Sequence, residues 1–141
     1  MLVGGVALAC IAGGAGLWAG TRDRFVGAAL SPPEALEAVR AGQVILVDIR
    51  RPDEWEKTGI AQGASPIDMR RDDFIAALDA LTASRRDRPV ALICARGVRS
   101  DRMAARLEAA GFTRIIDVPE GMLGSSTGPG WLARGLPVER P

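Results

Sequence analysis

One cysteine, Cys94, stands between a continuous apolar run and a short loop carrying glycine and two arginines: Val90-Ala91-Leu92-Ile93-Cys94-Ala95-Arg96-Gly97-Val98-Arg99-Ser100. A thiol attacks only as its thiolate, and a thiolate needs positive surroundings. A helix starting at the end of this loop offers unpaired amides and a partial positive charge. Gly97 lets the loop curl, so that successive N–H groups converge into an anion-binding nest. Arg96 and Arg99 add full charges that can grip an oxyanion through paired hydrogen bonds. A lone cysteine at a strand end is ordinarily a small buried hydrophobe. The order strand, thiol, glycine, two arginines and helix is what points to nucleophilic sulfur.

Composition narrows the alternatives. The 141-residue chain has no histidine and two cysteines. Ser-His-Asp and Cys-His pairs, a histidine base and histidine-ligated zinc are therefore excluded. Two cysteines do not complete a structural zinc site or suggest a disulfide framework. No metal and no cofactor are expected. The net charge of +1, from 18 basic and 17 acidic residues, argues against a nucleic-acid partner. With 48% apolar and 25% charged residues, most of the chain reads as one globular domain.

The thiol loop needs a rigid frame, and the sequence alternates strand and helix. Ser31-Pro32-Pro33-Glu34 reads as a helix start, with Ser31 as N-cap, proline in the first turn and Glu34 closing a capping box. Gly42 marks its end. Val44-Ile45-Leu46-Val47 and Val90-Ala91-Leu92-Ile93 read as strands buried on both faces, the first ended by Asp48. Positions 50–57 read as a loop with one helical turn at Asp53-Glu54-Trp55, and 64–67 as a short strand. A helix is expected over 72–83, with Phe74, Ile75, Leu78 and Leu81 inward, and another over 100–110, with Met103, Ala104 and Leu107 inward and Gly111 as cap. Ile115-Ile116 lies in a third strand, 119–130 in a loop, and 131–136 in a closing turn of helix. The implied class is α/β, a mostly parallel central sheet flanked by helices. Ligands in such sheets bind beyond the carboxyl ends of the strands, where Asp48, Cys94 and the loop after Val118 fall.

The N-terminus is different material. Positions 1–21 carry no charged side chain, and Arg22, Asp23 and Arg24 end the run. This length is about enough to span a bilayer. No basic residue stands ahead of it, and six glycines among the first twenty residues make a poor soluble helix. Residues 1–28 are expected to be a signal or membrane anchor, leaving 29–141 as the domain, membrane-anchored or exported, with the periplasmic side open to it. The two arginines favour a cytoplasmic C-terminus for an anchor. A buried globular helix is the alternative, and Ala7-Leu8-Ala9-Cys10 loosely matches a lipoprotein cleavage site.

These features together resemble the rhodanese-like domain in its small single-domain form, over roughly 31–138. The resemblance rests on Val47-Asp48-Ile49-Arg50 with Glu54-Trp55, Gly59-Ile60 followed by Gly63-Ala64, the six-residue loop 94–99 leading into Ser100, Gly111-Phe112, and Gly135-Leu136-Pro137-Val138. It implies a three-layer sandwich around the parallel sheet and a cysteine that carries sulfane sulfur as a persulfide. On that likeness Cys94 is the persulfide site, Ala95, Arg96, Gly97, Val98 and Arg99 form its substrate-binding cradle with Arg99 as anion contact, and Asp48 and Ser100 support it. The bland reading of Asp48 is a strand-end cap. The sequence departs from the family at Ala95, where arginine is frequent, at Gly59, where histidine is frequent, and at Glu120-Gly121, where a glycine pair is usual. Several extra residues lie between Gly121 and Trp131.

The implied activity is a thiosulfate sulfurtransferase or persulfide carrier, taking sulfur from a small anionic donor to a thiol or cyanide-like acceptor. Two other classes compete. One is a non-catalytic rhodanese-like interaction module, against which the intact cysteine and paired arginines argue. The other is a small phosphatase or arsenate reductase. Tyrosine-phosphatase loops place five residues between cysteine and arginine; Cys94 and Arg99 are separated by four.

Overall fold

The computed structural model describes residues 28–141. The expected N-terminal signal or anchor lies outside the described residues except for Ala28. Among the described residues no helix is long and apolar enough to cross a membrane.

The central sheet is built from the two apolar runs. β1 (Ala28–Ala29), β2 (Ile45–Asp48), β4 (Ser65–Pro66), β5 (Val90–Ile93) and β6 (Ile115–Asp117) pair in the order β1-β6-β5-β2-β4. Every pairing is parallel, and Asp48 lies level with Ile93. β3 (Ile60–Ala61) and β7 (Val138–Glu139) form a separate antiparallel pair. The expected boundary between 28 and 29 falls inside β1, since Ala28 is level with Ile116.

Alternation along the strands sorts the core into two layers. Val47, Val90 and Leu92 face Phe74 and Leu78 of α3 (Phe74–Thr82) and Met103, Ala104 and Leu107 of α4 (Val98–Ala109). Leu46, Ala91 and Ile93 face Ala35 and Leu36 of α1 (Pro32–Arg40), with Met122 and Trp131. The three-layer α/β sandwich and its mostly parallel sheet are as the sequence implies. Glu34 closes the α1 start by accepting from the Ser31 amide and hydroxyl, each at 2.8 Å.

Several local expectations differ. Positions 50–57 are not a loop with one turn: α2 (Pro52–Thr58) is a helix with no buried residue, so its sequence carries no apolar periodicity. α4 starts at Val98 rather than at residue 100, because Gly97 takes the N-cap position with φ 85°. Residues 131–135 are turn rather than helix, and β7 follows them. Trp131 is fully buried there, its indole N–H donating to the Pro137 carbonyl at 2.9 Å.

Candidate active site

Cys94 continues the alternation of β5 toward the α4 face and is buried, the free cysteine among the described residues. The Gly97 amide donates to its Sγ at 3.1 Å and the Ser100 amide at 3.4 Å; Ser100 Oγ lies at 3.5 Å. Sulfur thus sits at the first turn of a twelve-residue helix, where backbone donors lack intrahelical partners. Ser100 is fully buried, and its hydroxyl donates to the Gly97 carbonyl at 3.1 Å, closing the loop from within. These amides favour negative charge on sulfur over any neutral group in their place.

Close approach of a second loop fixes this curl. A side chain at Gly97 would collide with the Pro119 carbonyl, and one at Gly121 with the Ala95 carbonyl. Met122 and Leu123 donate their amides to the Cys94 and Ala95 carbonyls at 2.9 and 2.8 Å. The loop after β6 is therefore the outer wall of the thiol loop. It is held by Glu120, a buried carboxylate that accepts from Arg134 Nε and Nη2, each at 2.8 Å, and from the Gly130 amide at 3.0 Å. Arg134 holds the Glu120 carboxyl below its ordinary range. The extra residues 124–130 are tied down: Ser125 Oγ donates to the Pro119 carbonyl at 2.8 Å, and the Ser125 amide donates to the Gly128 carbonyl at 2.9 Å.

The two loop arginines differ. Arg96 is exposed and reaches only the Gly124 carbonyl at 3.3 Å. Val98 beside it is 59% exposed. Arg99 is half-buried and bound end-on by Glu54 through two hydrogen bonds of 2.7 and 2.8 Å. A guanidinium has five N–H donors, so Arg99 keeps others for an anion. Glu54 also accepts from the Arg51 amide at 3.0 Å, as the capping residue of α2. Arg99, above all, brings the Glu54 carboxyl down to about 2 from 4.5, against the opposing effect of burial. Glu54 in turn raises Arg99.

Asp48 does not reach the sulfur through any hydrogen bond. Its carboxylate takes the Arg50 guanidinium at 3.0 and 2.7 Å, the Arg50 amide at 3.1 Å and the Trp55 indole N–H at 3.2 Å. Arg50 is itself buried and donates to Thr58 Oγ1 and the Gly59 carbonyl, both at 2.9 Å. Asp48 therefore anchors α2 to the end of β2, and α2 carries Glu54 to Arg99. Its support is indirect, a strand-end clamp. The positions of Arg50, Glu54 and Glu120 went unassigned in the sequence. The available signals were an ionic pair two residues apart at a strand end and an acidic residue at the third position of a helix opened by proline. Among the described residues no cluster of histidine, cysteine or acidic side chains suits a metal ion.

The family profile described as rhodanese-like domain matches residues 31–125, more than half of the chain. This chain belongs to the rhodanese-like domain family. It is 33% identical to thiosulfate sulfurtransferase GlpE of Pseudomonas fluorescens over 108 residues, covering 75% of this chain and 93% of that protein. It is 35% identical to the GlpE protein of Pseudomonas entomophila over 108 residues, covering 75% and 92%. The solution structure of the polysulfide-sulfur transferase homodimer from Wolinella succinogenes superposes with a TM-score of 0.62 at 26% identity, covering 80% of this chain and 78% of that one.

Proposed function

We propose that the protein is a rhodanese-type sulfurtransferase in which Cys94 is the catalytic residue. The reading is carried by one observation: a buried thiol sulfur held by the Gly97 and Ser100 amides at a helix N-terminus, in a six-residue loop that ends on Arg99. Its relatives named as thiosulfate and polysulfide-sulfur transferases support the same chemistry.

In the proposed cycle the Cys94 thiolate attacks the outer sulfur of thiosulfate. The S–S bond of the donor breaks, and sulfite leaves with the electron pair. The loop amides and Arg99 stabilise the anionic persulfide and the departing group. A second nucleophile, cyanide or a thiolate, takes the outer sulfur and returns the pair to Sγ, a double displacement. The uncharged run at 1–21 extends the proposal to location: a domain held at a membrane or exported through that segment, which cell fractionation of the full chain tests.

The test is a single assay offering thiosulfate with cyanide beside a phosphate ester. Thiocyanate should form, the ester should survive, and thiosulfate alone should add the mass of one sulfur atom to the protein. Cys94→Ser should abolish both signals. Hydrolysis of the ester would support a phosphatase, and inertness toward every donor an interaction module.

A further inference from the structure

The two ends of the central sheet carry charge differently. Every pairing is parallel, so the amino end gathers the connections 41–44, 83–89 and 110–114, and the carboxyl end holds the thiol loop. Arg88 stands two positions before β5 and Cys94 directly after it, which sets them about 20 Å apart along the strand. At the carboxyl end guanidinium groups are spent on carboxylates: Arg51 on Asp53, Arg70 on Asp68, Arg71 on Asp73 and Arg99 on Glu54. At the amino end Arg88, Arg106 and Arg114 form no ion pair among the described residues. Arg85 meets Asp87 only at 3.6 Å, with both side chains exposed. Asp87 is the single acidic residue in those three connections. In the helix ends beside them, Asp79 is held by Arg86 at 2.7 Å, Glu37 is balanced by Arg40, and Glu108 remains.

The uncharged run joins the domain at this same end. β1 is parallel to β6 with Ala28 level with Ile116, so the sheet is entered from the side where Arg114 stands. Residues 22–27 link β1 to the run 1–21, a tether of at most about 20–25 Å. Arg22 and Arg24 in that tether outweigh Asp23. A surface that receives the apolar run therefore lies within reach of Arg85, Arg88 and Arg114. Arginines near anionic headgroups strengthen attachment, and the attraction decays within a Debye length. The opposite orientation would press Asp53, Asp68 and Asp73 toward the same negative charge.

We infer that the amino end of the sheet is a docking face for an anionic lipid surface, with Arg85, Arg88, Arg106 and Arg114 toward the headgroups and the thiol loop turned to water. The inference builds on the proposed membrane location and is independent of the sulfur chemistry. Its consequence for the site is that attachment leaves Cys94 open, and whatever reacts there arrives from the aqueous phase.

The test uses the full chain with vesicles of phosphatidylcholine alone or mixed with phosphatidylglycerol, followed by flotation and by hydrogen exchange. With the anionic vesicles, amides at 83–89 and 110–114 should gain protection and those at 94–99 should not. The gain should be absent with phosphatidylcholine alone and vanish in about 1 M salt, where the screening length is about 3 Å. Each arginine removed should weaken docking about fivefold. Arg88→Gln with Arg114→Gln should therefore lose the protection while the chain still floats with the vesicles and still forms thiocyanate, which shows the variant folded. Flotation with both kinds of vesicle but equal exchange in each, or protection of the thiol loop instead, overturns the docking face and leaves the anchor. Failure to float with either overturns both. Salt-sensitive flotation with anionic vesicles alone keeps the docking face and removes the anchor. Protection of the same turns by RNA and by neither vesicle assigns the face to nucleic acid and overturns the inference.

Discussion

Two carboxylate–guanidinium pairs bracket α2, and they do opposite things. Asp48–Arg50 is sealed at its inner end, with side chains 0% and 1% exposed, and Trp55, Thr58 and Gly59 complete its hydrogen bonds. Glu54–Arg99 lies at the outer end, 19% and 29% exposed, beside the thiol loop. The inner pair spends both partners on architecture. The outer one leaves a guanidinium with spare donors at the mouth of the cradle. Burial therefore separates a clamp from a working group made of the same chemistry.

The largest expected effect comes from breaking the inner pair. Asp48→Asn leaves the Arg50 charge buried and uncompensated, and removing one partner of such a pair costs about 3–5 kcal/mol. The urea midpoint should fall accordingly, and α2 should lose protection from hydrogen exchange before the sheet does. A change below about 1 kcal/mol would show that Thr58, Gly59 and water suffice to hold Arg50.

Breaking the outer pair should be mild for stability and visible in kinetics. Glu54→Gln removes a partly exposed ion pair, worth about 1 kcal/mol or less. It also removes a negative charge beside the cradle, so a dianionic donor should bind more tightly. KM for thiosulfate should fall about three- to tenfold at low salt, and the advantage should fade as ionic strength rises. A rise in KM would mean that Glu54 acts mainly by holding Arg99 in place.

How much of this was legible depends on whether an interaction is local. The strands around Leu46 and Ala91, the start of α1 at Ser31 and the inward face of α4 follow from apolar runs, caps and periodicity within a few residues. The thiol loop is legible for the same reason: Cys94, Gly97 and Ser100 are six positions apart at most and bond to one another. In sequence α2 shows only a single turn because it buries no residue; its hold on the domain is polar. Glu54 meets Arg99 across 45 positions, a pairing that no local pattern encodes. The two-residue strands β1, β3, β4 and β7 are set by backbone pairing, which leaves little trace in side-chain type.

Acid sharpens the contrast with the smallest effect. Arg99 holds Glu54 at about 2 instead of 4.5. A carboxyl lowered on folding contributes stability that is complete above its unfolded value and disappears as pH falls through its folded value. The outer pair should therefore be constant from pH 5 upward and fade between about 4.5 and 2. Urea midpoints of the parent protein and Glu54→Gln, measured every half unit from pH 6 to 2, give the pair by difference, because Asp48 and the other carboxylates are common to both. The gap should be flat above pH 5 and close toward pH 2. The same reasoning assigns the neutral-pH kinetics. With Glu54 ionised and Arg99 raised above its already high value, neither titrates between pH 5 and 9. Any change in kcat/KM for thiosulfate in that window belongs to another group, and Glu54→Gln should shift its height without moving its midpoint. A midpoint that moves with the substitution would show that the Glu54 charge acts on the titrating group itself, and the outer pair would then do more than set the field at the mouth of the cradle.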